Sequence, residues 1–114
     1  MRFEDLDVWK RAARLSVSLY RALQDSREFG FRDQITRSAL SVASNIAEGY
    51  ERGTPRDRLR FLHYALGSCA ELRTQLYIGI EAGYVARDAG TEWVLETREL
   101  SAMLLGLIRA WQCA

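Results

Sequence analysis

Apolar residues recur along this chain in steps of three and four, the spacing of one face of an α-helix, and they do so four times over. Leu6, Trp9, Ala13, Ser16, Tyr20 and Leu23 set out a first helix over about residues 5–24, with Arg11, Arg14 and Arg21 off its seam. Residues 25–30, Asp-Ser-Arg-Glu-Phe-Gly, read as a loop. A second helix runs through Phe31, Ile35, Ala39, Val42, Ile46 and Gly49 and ends near Arg52 and Gly53. Thr54-Pro55-Arg56-Asp57 then signals a new start. Thr54 caps, Pro55 takes the first helical position, where a missing N–H does no harm, and Asp57 faces the positive helix end. The third seam is Leu59, Leu62, Leu66, Cys69, Leu72, Leu76 and Ile80, stopped by Gly83. A fourth helix begins near Thr91 and passes through Trp93, Leu100, Leu104, Leu107 and Trp111.

No stretch alternates polar and apolar residues over a strand's length. Loops of about five to eight residues between helices of about 20 to 28 make consecutive helices antiparallel. The expected fold is all-α: an up-down antiparallel four-helix bundle, one domain over residues 1–114, long enough to build a core without disulfides or metal. Met103, Leu104, Leu105, Leu107 and Ile108 wrap most of the fourth helix and cannot all face one core. They are therefore the expected interface of a homo-oligomer.

One stretch breaks the apolar pattern. Arg37, Ser41, Asn45 and Glu48 descend a stripe of the second helix in steps of four, four and three, and Gly67, Ser68 and Glu71 form a polar, close-packing patch on the third. Polar groups buried without partners cost free energy, so the stripe is either a satisfied internal network or a surface for another molecule. As a network it fixes the register of two helices. As a surface it opens onto a pocket and binds a ligand. As an acid–base site it offers Glu48 and Glu71, with a lone His63 and no evident nucleophile beside them. A hairpin turning at Arg52 and Gly53 places Asn45 opposite Arg60, Ser41 opposite Tyr64, Arg37 opposite Ser68 and Gln34 opposite Glu71. Arg37 with Glu71, and Glu48 with Arg56 or Arg60, are then the natural ion pairs.

Net charge is only +1, well short of a strong nucleic-acid binder's basic footprint, but its distribution is uneven. Residues 1–60 carry 12 Lys or Arg against 9 Asp or Glu, and residues 61–114 carry 4 against 6. Arg52, Arg56, Arg58 and Arg60 form the densest cationic group, with Glu51 and Asp57 among them. They either grip phosphates of RNA or DNA, an oligomer multiplying the patch, or form a solvated, ion-paired face. Lys10, Arg11, Arg14 and Arg21 make a second, weaker patch. Trp9, Trp93 and Trp111 fall on seams, as core or interface anchors do. Two cysteines and one histidine give no metal-ligand spacing, so the thiols are expected reduced and the protein without metal or cofactor. The acidic start lacks an apolar signal core, and the uncharged stretches 38–47 and 100–108 fall far short of a bilayer span, which points to a cytoplasmic protein without a membrane partner.

Several of these segments occur together in one known family. Phe3-Glu4-Asp5-Leu6 with Val8-Trp9, Phe29-Gly30-Phe31 with Gln34-Ile35, and Arg37 to Ala39 with Ser41 and Asn45-Ile46-Ala47-Glu48-Gly49 resemble the opening, second-helix entry and central signature of the bacterial four-helix-bundle proteins encoded in intervening sequences of 23S ribosomal RNA genes. Arg60-Phe61-Leu62 with Ala65, Gly67-Ser68 and Glu71-Leu72 resemble that family's third helix. The resemblance implies a ring-like homo-oligomer, a pentamer, and kinship with retroelement accessory proteins that bind RNA and a reverse transcriptase through basic surface. It implies no enzyme. Those accessory relatives are markedly basic and this chain is not, which leaves two functions open: a weak nucleic-acid-binding accessory protein, or a homo-oligomeric scaffold whose partner is another protein.

Overall fold

The computed structural model describes residues 1–113. A single 3₁₀ turn, Phe3–Asp5, leads into α1 (Asp7–Leu23), followed by α2 (Phe29–Arg52), α3 (Pro55–Ala82) and α4 (Arg87–Gln112). Among the described residues there is no strand, and the molecule is an all-α four-helix bundle measuring 45 × 20 × 20 Å. At about 1.5 Å of rise per residue, the 28 residues of α3 account for nearly its whole length. No helix among the described residues is long and apolar enough to cross a membrane.

Local chemistry sets the helix ends as the sequence indicates. Thr54 Oγ1 accepts a hydrogen bond from the Asp57 amide at 3.2 Å, with Pro55 at the first helical position. Gly53, which links α2 to α3, sits at φ 77°, a left-handed conformation that a side chain would strain. α4 begins a turn earlier than expected, at Arg87. Gly90, which in sequence reads as a loop residue, is instead buried in its first turns, where a Cβ would run into Ile80 and Val85.

Leu19, Ile35, Ile46, Leu62, Leu72 and Leu100 are all completely enclosed in the core between the four helices. The seams expected for α2 and α3 face this core, but that of α1 is out of phase by one position. Val8, Ala12, Leu15, Leu19 and Leu23 are buried there, whereas Trp9 and Ala13 are half-buried and Tyr20 is exposed. Two adjacent stripes of α1 are apolar, and only one fits the bundle. The second borders a groove of about 450 Å³ toward α2, lined by Phe3, Trp9, Val17, Tyr20, Leu40 and Ala47 among others.

The expectation for α4 is corrected. Leu104 and Ile108 lie in the chain's own core, and Met103 and Leu107 pack against it, which leaves Leu105 as the exposed member of the five. Beside them, Leu6 and Val8 border with Met103 and Leu107 an apolar recess of about 350 Å³ that the chain leaves open. Val17, Tyr20 and Leu40 leave an apolar flank open on α1 and α2, and Ile78 and Leu95 add exposed apolar surface on α3 and α4.

Candidate nucleic-acid interface

The polar stripe of α2 is paired with α3, one helical turn out of the expected register. Ser41 Oγ lies 2.9 Å from Ser68 Oγ, and the Ser38 hydroxyl donates to Glu71 Oε1 at 2.6 Å. Asn45 Nδ2 donates to the Ser41 carbonyl at 2.8 Å and to its hydroxyl at 2.9 Å. The two-residue link, Gly53-Thr54, centres the hairpin beyond Arg52 and Gly53 and accounts for two residues of that four-residue shift. The expected ion pairs change with it. Arg37 is exposed rather than bonded to Glu71, and Glu48 pairs with Arg52 on its own helix at 3.2 Å, not with Arg56 or Arg60. Ser38, absent from the sequence-derived stripe, belongs to the network; its place three residues before Ser41 and seven before Asn45 was the available signal. A polar recess remains at the far end of the stripe, among Gln34, Arg37, Ser38, Glu71 and Gln75.

A second polar strap joins α3 to α4. Arg73 donates to Thr97 Oγ1 at 3.0 Å, to the Thr97 carbonyl at 3.1 Å and to Ser101 Oγ at 2.6 Å. The buried Cys69 thiol also donates to the Thr97 carbonyl, and burial pushes its pKa up, so it stays neutral. Across the α1–α4 seam, where the helices meet least, Arg11 bonds Glu96 through Nε at 3.0 Å and lies 3.1 Å from Glu99. Glu96 above all raises the Arg11 pKa. Among the described residues no group of three His, Cys, Asp or Glu side chains is placed to hold a metal ion.

The candidate arginines divide into two kinds. Arg58 is drawn into the fold: its guanidinium lies 4.5 Å from the Tyr50 ring centre and 4.1 Å from that of Trp111, and its Nε is buried. Trp111 Nε1 in turn donates to the Tyr50 hydroxyl at 3.3 Å. Arg58 therefore clasps the end of α4 to the hairpin and is less exposed than Arg52, Arg56 and Arg60. Arg52 and Arg60 instead converge on Phe61, at 4.9 and 5.0 Å from its ring centre, and both are exposed. Each also carries a surface ion pair on its own helix, Arg52 with Glu48 and Arg60 with Asp57 at 3.4 Å. Arg56 is exposed and, among the described residues, has no acidic partner within ion-pair distance.

Phe61 is the residue that sequence reasoning passed over. Gly49 allows it to sit at the crossing of α2 and α3, where a Cβ on Gly49 would stand 3.0 Å from that of Phe61 and 3.3 Å from the Arg58 carbonyl oxygen. Tyr64, three residues on, meets Phe61 edge to face at 5.4 Å. Their spacing of three, directly after Arg60, was the legible sign of a shared face. Lys10 and Arg14 are exposed on α1 and lead away from this same bundle end, separate from the Phe61 cluster.

The profile of the family described as 23S rRNA-intervening sequence protein matches residues 4–106. The chain belongs to this family. A crystal structure of a protein of unknown function from the S23 ribosomal protein family, from Bacteroides thetaiotaomicron, is similar with a TM-score of 0.83. It is 23% identical, and the match covers 89% of this chain and 97% of that one. At that identity the likeness establishes the shared fold. Comparison with curated proteins gives no match.

Proposed function

We propose that this family member is a non-enzymatic, cytoplasmic bundle that assembles with copies of itself and contacts RNA or DNA weakly through Arg52, Arg56 and Arg60. The observation that carries the reading is the gathering of three exposed guanidiniums at one bundle end, with Arg56 unpaired among the described residues. Surface ion pairs such as Arg52 with Glu48 are worth about 0 to 1 kcal/mol, so a phosphate readily displaces them. One such patch is weak in a chain of net charge +1; repeated around a ring, as in the pentamer the resemblance implies, it gains by avidity. The exposed apolar groove between α1 and α2 supports assembly through that face.

Retention of labelled RNA and DNA on a filter tests this reading. Binding at low salt is expected to weaken steeply as salt rises and to disappear when Arg52, Arg56 and Arg60 become Ser, whereas no retention at low salt contradicts it. Light scattering at micromolar concentration is expected to give a multiple of 13.0 kDa, and a monomer contradicts assembly. The same groove favours a second reading, an adaptor whose partner is another protein. Partners that survive nuclease treatment in a pull-down distinguish it from the first.

A further inference from the structure

We infer that this bundle end binds unpaired nucleotides, a base stacking on Tyr64 while Arg52, Arg56 and Arg60 hold the flanking phosphates. The inference rests on the nucleic-acid reading above and specifies what form the ligand takes. Tyr64 is 52% exposed and touches Phe61 edge to face, and among the described residues no cation lies over its ring. The other exposed aromatics, Tyr20, Phe29, Tyr77 and Tyr84, lie near the end of α1, the start of α2 and the end of α3, at the far end of the bundle from these arginines. Tyr64 is thus the exposed aromatic ring beside the cluster, and among the described residues no cation lies over it.

Chemistry separates the two forms of nucleic acid at such a surface. A duplex presents phosphates and base edges, with base faces stacked inside, so a tyrosine face adds nothing to its binding. An unpaired strand presents both phosphates and base faces, and stacking on an aromatic side chain strengthens binding whatever the base. Arg52 and Arg60 are held near Phe61 rather than left to roam in solvent, which places positive charge on the Tyr64 side of the helix at little further entropic cost.

Fluorescence anisotropy at low salt, with short labelled strands of RNA and of DNA and with the corresponding duplexes, tests the inference. Single strands are expected to bind more tightly than duplexes, and adenine strands more tightly than uracil or thymine strands. Tyr64→Ala is expected to weaken single-strand binding about 10-fold while leaving duplex binding unchanged, and Tyr64→Phe to restore it. RNA and DNA strands should agree within a few-fold, because base face and phosphate are common to both; binding confined to RNA would overturn stacking as the basis. Equal binding of Tyr64→Ala and the wild type overturns the inference but leaves the phosphate reading intact, provided the triple arginine variant still loses affinity. If neither strand nor duplex binds the wild type, the underlying reading fails and this one with it.

Discussion

Two polar regions of the chain look alike in sequence and end in opposite roles. The stripe from Ser38 to Asn45 spends its hydrogen bonds inside the protein, on Ser68, Glu71 and its own helix, whereas Arg52 and Arg60 around Phe61 make only surface ion pairs on their own helices. Distance from the hairpin turn separates them. Midway along the bundle two packed helices face each other and polar groups must find partners across the seam; beside the turn, α2 and α3 splay their outer faces to solvent and guanidiniums lie over aromatic rings. What each region lacks is as telling as what it holds. Ser38, Ser41 and Asn45 bring no cation to the inner one, and the ion pairs of the outer one, Arg52 with Glu48 and Arg60 with Asp57, stay within one helix.

Variants that cross the two regions test this contrast. The largest loss of stability is expected for Gly49→Val, which forces branched bulk against Phe61 and the Arg58 backbone: about 2 kcal/mol in urea unfolding, with weaker nucleic-acid retention because the arginine cluster shifts. Arg58→Ser removes both cation–π interactions of the clasp and should cost about 1 to 2 kcal/mol, redistributing Trp111 fluorescence while leaving nucleic-acid affinity nearly unchanged. Asn45→Ala should cost about 1 kcal/mol and leave binding untouched, since its bonds end on Ser41. A loss of affinity in Asn45→Ala would show that the inner stripe is itself a ligand surface. The smallest effect concerns Cys69. Its raised pKa means that the unfolded thiol ionises first, so the native state loses stability as pH climbs above the ordinary 9.0, an alkaline loss that Cys69→Ala should lack.

The four helices, the Thr54 cap and the core faces of α2 and α3 were legible in the residues, because periodicity and capping are local. Partner choice was not. The hairpin register depended partly on where a two-residue link centres the turn and partly on packing beyond it, and one helical turn of error displaced the expected pairings, Gln34–Glu71 to Asn45–Arg60. α1 misled for a related reason. Trp9, Ala13 and Tyr20 have the same spacing as Val8, Ala12 and Leu19, and only packing shows which stripe enters the core. The apolar excess on α4 divides in the fold: Leu104 and Ile108 enter the core, Leu105 is exposed, and Met103 and Leu107 line an open recess with Leu6 and Val8. Among the arginines, spacing grouped Arg58 with its neighbours, and only the fold shows it between Tyr50 and Trp111.

The role of the outward region is tested most directly by the salt dependence of single-strand RNA binding, measured side by side for the wild type and for the variant with Arg52, Arg56 and Arg60 changed to Ser. Affinity of the wild type should fall linearly on logarithmic axes, and the variant's slope should be shallower by about 0.7 for each phosphate it no longer neutralises, with an unchanged unfolding midpoint. Identical slopes and affinities in the two proteins would contradict the account.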